Sequence, residues 1–83
     1  MKMDDLIRRL EESGDTDRRT LSKTMKRKYS ELGNGEDIEC RAESFEYLNG
    51  CINTMTALGE ITESEENELW NELFGCFQRE EKL

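Results

Sequence analysis

Proline and histidine are both missing from this 83-residue chain, and no apolar run approaches the length of a membrane span. Without proline, no segment loses a backbone donor or clashes with its preceding turn, so every stretch remains free to be helical. Without histidine, the chain lacks the side chain best matched to proton transfer near neutral pH and one of the commonest metal ligands. A span needs about 20 consecutive apolar residues. The opening MKMDDLIRRL also places acids where a secretory leader needs an unbroken apolar stretch. The expected location is cytoplasmic, or the cytoplasm of a host cell for a phage or mobile-element protein.

Aromatic residues are few and unevenly placed: Phe45, Tyr47, Trp70, Phe74 and Phe77 lie in the second half, with only Tyr29 ahead of them. This weighting predicts a core drawn mainly from the C-terminal half and a looser N-terminal third. Cys40, Cys51 and Cys76 form neither an even-numbered framework nor a Cys-x-x-Cys pair. Cys40 and Cys51 fall about 16 Å apart along one helix, too far for a disulfide. Buried or half-buried thiols in a reducing compartment are expected, with intermolecular linkage as the alternative. The cysteine spacings match no zinc site, and there is no phosphate-binding glycine loop, HExxH or EF-hand loop. Glu65, Glu68 and Glu72 come nearest to a cation site, but a bundle metal centre draws inward-facing Glu and His from several helices. No cofactor and no catalysis are therefore expected.

What the chain does contain is charge, divided by position. Residues 1–30 hold nine Lys or Arg against six Asp or Glu, whereas residues 31–83 hold three against fourteen. Balances of +3 and −11 thus underlie the total of −8. Hydrophobic residues make up 34% and charged residues 39%, which would suit a disordered acidic segment if the apolar positions were not patterned.

They are patterned as helices. Met3, Leu6, Ile7 and Leu10 predict an amphipathic helix over about 3–13 that is too short to stand alone. Leu21, Met25, Tyr29 and Leu32 predict a second over 17–32, with Arg18, Arg19, Lys23, Lys26, Arg27 and Lys28 opposite. Asn34 between Gly33 and Gly35 signals a turn, and GNGEDI is the one place where a β-hairpin could close. Ile38, Ala42, Phe45, Leu48, Ile52, Met55 and Leu58 form a long stripe over 38–58, with Asp37 as N-cap and Gly59 beyond its end. Thr62 and Glu65 read as a capping box ahead of a fourth helix over 63–80, carrying Leu69, Trp70, Leu73, Phe74 and Phe77. The fold expected is all-α: a single domain over 1–83, a small helical bundle built around an antiparallel hairpin. Residues 1–32 supply a short amphipathic helix plus a basic helix, and residues 37–81 the acidic, coiled-coil-like hairpin. Gly50, within the third helix, invites close packing of another helix or simply faces water.

These features point to binding rather than turnover. Glu39, Glu43 and Glu46 occupy successive turns of the third helix, and Glu65, Glu68 and Glu72 lie on the fourth. Acids spaced about 5–6 Å apart on a rigid helix resemble a phosphate backbone and suit a basic groove made for nucleic acid. The expected function is an acidic protein-binding module that inhibits or regulates a nucleic-acid-handling protein. In size and charge the chain is similar to compact acidic phage proteins that disable host nucleases, and no residue-level motif ties it to a family. Two alternatives stand beside this reading. Arg18, Arg19, Lys23, Lys26 and Arg27 would serve a small DNA-binding regulator, although the net charge opposes a long polyanion. A structural homodimer would use Phe45, Ile52, Trp70 and Phe77 in part at its interface.

Overall fold

Four helices account for nearly all of residues 1–78, which are the residues described by this computed structural model: α1 (Met3–Glu11), α2 (Thr16–Asn34), α3 (Ile38–Ala57) and α4 (Glu63–Gln78). No strand occurs among the described residues, so GNGEDI closes no hairpin. The expected tail of the fourth helix and of the hairpin, residues 79–81, lies outside the described residues. Helix α3 is central. It forms the antiparallel hairpin with α4 and packs most extensively against α2, which in turn carries α1.

Each boundary has a local cause. Asp15 and Asp37 cap α2 and α3, accepting hydrogen bonds from the amides of Asp17 and Glu39, each at 3.0 Å. Helix α3 ends in a Schellman motif, in which the Glu60 amide donates to Met55 O at 2.9 Å and the Gly59 amide to Thr56 O at 3.0 Å. Gly59 adopts a φ of 77°, a conformation that costs a residue with a side chain. The Thr62–Glu65 capping box is reciprocal, with the Thr62 amide 2.9 Å from Glu65 Oε1 and the Glu65 amide 3.1 Å from Thr62 Oγ1. Ile61, ahead of that cap, is buried in the core.

The core departs from the weighting suggested by the aromatic residues. Its fully buried apolar side chains divide evenly: Met3, Leu6, Ile7, Leu10, Met25 and Leu32 from the first half, and Leu48, Ile52, Met55, Ile61, Leu69 and Leu73 from the second. The N-terminal third is therefore a full partner in the core. All four apolar residues of α1 are buried, which is how a helix of only nine residues is held in place. Phe45, Trp70, Phe74 and Phe77 instead form a partly exposed cluster over α3 and α4. There Phe45 lies 5.1 Å from Phe77, and Trp70 stacks on Phe74 at 4.7 Å between centroids. Large rings suit this edge, where one side packs and the other meets water.

Arg41 is the largest fully buried side chain, at 1% exposure. Its Nε donates to Leu32 O, and its Nη2 to Cys76 O and Phe77 O, all at 3.0 Å. These carbonyls lie toward the carboxyl ends of α2 and α4, where the helix dipole is negative. Among the described residues, neither of these turns carries a basic residue of its own. Arg41 thus supplies from α3 a cation shared by two helix ends, and it also lies over the Phe77 ring at 5.6 Å. Gly35 makes room for it: a Cβ there would stand 2.8 Å from Arg41 Cγ and 2.5 Å from Glu31 O.

Replacing Arg41 by Met keeps an unbranched stem but removes the donors from these carbonyls, and should cost about 2–4 kcal/mol in urea unfolding. Gly35→Ala should destabilise by about 1–3 kcal/mol through the clash. Gly50→Ala, in open space within α3, should instead stabilise by about 0.5–1 kcal/mol.

Candidate functional site

The six carboxylates expected to act together are separated by the fold into two sets. On α4, Glu65, Glu68 and Glu72 turn toward the N-terminal part of the chain. Glu72 Oε1 accepts from the Met3 amide at 2.8 Å, and its Oε2 accepts from the Tyr29 hydroxyl. One side chain therefore caps the start of α1 and ties α2 to α4. Glu68 Oε1 lies 3.0 Å from the Met1 amino group, and Glu65 lies 3.9 Å from Arg9. The Glu65 carboxyl is held below the usual glutamate range, chiefly by the Thr62 main-chain amide, with Arg9 adding to it.

The α3 set behaves differently. Glu39, Glu43 and Glu46 are exposed on one side of the helix, and none forms an ion pair among the described residues. Arg41 stands between them in sequence but points into the core. Like charges at this spacing work against the helix by a few tenths of a kcal/mol each, so the fold does not profit from them.

The basic residues divide in the same way. Arg18 pairs with Asp15 at 3.4 Å and with Glu60. Arg19 donates to Ser13 O and to Thr16 Oγ1, both at 3.4 Å. Lys28 lies 3.7 Å from Glu31 and 5.8 Å from the centre of the Tyr47 ring. Lys23, Lys26 and Arg27 remain exposed without an ion pair among the described residues. Lys23 and Lys26 border a shallow hollow beside Glu11 of α1.

A second feature adjoins the α3 acids. An open groove of about 630 Å³ runs between the first half of α2 and the second half of α3. Buried Leu10 and Met55 reach its floor, half-buried Leu21, Tyr47 and Cys51 form its walls, and Gly50 and Thr54 lie at its lip. Leu58 closes one end at 71% exposure. Asp17, Glu46 and the Arg18–Glu60 pair stand at the rim. Burial pushes the Cys51 thiol up, which keeps it protonated and a poor nucleophile at neutral pH. The groove is lined mainly by apolar side chains. The sequence carried only a partial signal of it. Gly50 and Leu58 stood out within the α3 stripe, but the approach of Leu21 and Leu10 depends on how α1 and α2 dock.

All three cysteines are free and half-buried. No cluster of potential metal ligands occurs among the described residues, and no helix there is long and apolar enough to cross a membrane. Comparison with known protein families, curated proteins and solved structures finds no significant match to this chain.

Burial, followed by the Glu72 hydrogen bond, raises the Tyr29 phenol well above its ordinary value of about 10. The folded state therefore holds this proton more tightly than the unfolded chain. Its stabilisation is complete below about pH 10 and is lost as pH rises toward the folded value. In a Tyr47→Phe background, tyrosinate absorbance should appear only well above that pH, and Glu72→Gln should move it downward. Titration of Tyr29 at its ordinary value would show that the Tyr29–Glu72 contact is not made.

Proposed function

We propose that this chain is a protein-binding module that engages a basic surface of a nucleic-acid-handling protein through α3, in place of nucleic acid, and so inhibits or regulates that protein. The observation that carries this reading is the row Glu39, Glu43 and Glu46, exposed and without an ion pair among the described residues, running into an apolar groove at Glu46. Charge alone would serve solubility, since a small domain gains from a net charge of this size. An acidic row continuous with an apolar groove offers more: charge to select a basic partner and apolar area to hold it. The acids of α4 have structural duties, so the contact is assigned to Glu39, Glu43 and Glu46, with Glu65, Glu68 and Glu72 at most adding to the field. The setting is the cytoplasm, or that of a host cell for a phage or mobile-element protein.

Direct DNA binding is the second reading, favoured by Lys23, Lys26 and Arg27, which are exposed without ion pairs among the described residues. Three free cations give it a small electrostatic footprint.

The immobilised chain should capture a basic nucleic-acid-binding protein that duplex DNA displaces. The Glu39→Gln, Glu43→Gln, Glu46→Gln variant should lose this capture by about tenfold or more in affinity, with helicity unchanged or slightly raised. Capture indifferent to that variant would refute the reading. Binding of the chain itself to DNA, with a steep salt dependence removed by Lys23→Ala and Lys26→Ala, would establish the second reading instead.

A further inference from the structure

We infer that the groove between α2 and α3 receives an amphipathic helix of the partner, its apolar side chains at i, i+4 and i+7 seated over Gly50 and its Lys or Arg residues flanking Glu46 and Glu43. This rests on the protein-binding reading above and names the partner element that the site takes.

Dimension is the first argument. From Tyr47 to Leu58 the α3 wall runs about 16 Å, which is three helical turns. Gly50, about one turn from the Tyr47 end of that wall, is where an added Cβ meets nothing within 4 Å, so an incoming backbone can approach α3 closely. The form of the occupant follows from the walls. Both are helices whose main-chain groups are already bonded, and no strand edge exists among the described residues. An extended segment laid on this apolar surface would leave its own amides and carbonyls unpaired, whereas a helix brings them satisfied.

Charge selects between a partner and a second copy. Arg18 at the rim is committed to Asp15 and Glu60, and Lys28 beyond Tyr47 is held by Glu31. Asp17 and Glu46 at the rim, and Glu43 one turn on, have no ion pair among the described residues. A second copy seated here would bring its own net charge of −8 against this rim. A helix with a basic flank meets the same carboxylates with the opposite sign.

The test is selection from a display library of random peptides about 16 residues long, enough for four helical turns, against the full-length chain. A labelled winner is then titrated against the wild type and variants. The expected peptides carry apolar residues at i, i+4 and i+7 with a Lys or Arg flank. Gly50→Leu, which fills the lip, and Thr54→Lys, which places a cation on exposed lip surface, should each weaken binding by about tenfold or more, with melting temperature preserved or, for Gly50→Leu, raised. The inference fails if no peptide is enriched, if winners lack this period or carry acidic flanks, or if both variants bind as the wild type does. A sedimenting dimer that Gly50→Leu dissociates would overturn it in favour of a second copy. Capture of the basic protein that is lost in the triple Gln variant but kept in Gly50→Leu would sink the groove inference alone. Capture kept in both would sink the protein-binding reading as well.

Discussion

The bundle depends on one buried cation. Arg41 reaches from α3 to the carboxyl ends of α2 and α4, so three of the four helices meet at a single guanidinium. Withdrawing such a charge from water is costly, and the arrangement holds because its fork of donors meets fixed carbonyls where the helix dipoles are negative. Lysine, with a compact charge and no planar fork, would not reproduce the geometry. The bare backbone at Gly35, the burial of Leu32 and the position of Phe77 are all arranged around this side chain.

Glu72 is its counterpart across the molecule. It joins the amide of Met3 to the hydroxyl of Tyr29 and fastens α1 and α2 to α4, as Arg41 fastens α2 and α4 to α3. A polar residue at each of these crossings fixes how the helices are placed, which the aliphatic core alone would leave loosely specified. The consequence for function is subtraction. Glu68 and Glu72 are engaged in assembly, whereas Glu39, Glu43 and Glu46 on α3 have no ion pair among the described residues.

Local signals were the legible part of the sequence. Asp37, the Thr62–Glu65 box and Gly59 act within a few residues of themselves, and α3 begins and ends where they predict. Helix α2 runs two residues past its expected end, through Gly33 and Asn34, and stops where Gly35 turns to extended backbone. Pairings between distant segments were not legible. Arg41 reads in sequence as one cation in an acidic region, and nothing periodic marks it as buried. Glu68 and Glu72 read as members of an acidic binding surface, because their partners lie more than 40 residues away. Three glycines that look alike serve three ends: Gly59 supplies a left-handed turn, Gly35 a close contact and Gly50 an open surface. The α1 residues were recognised as a helix, yet their weight in the core follows only from the tertiary arrangement.

The bond from the Met3 amide to Glu72 spans 69 positions of the chain. During synthesis, at about 5–20 residues per second, α1 leaves the ribosome seconds before the carboxylate that will cap it has been made. Four apolar side chains of a helix too short to persist alone must wait through that interval. Until α4 has been made, the Met3 amide lacks the carboxylate that accepts from it in the folded chain.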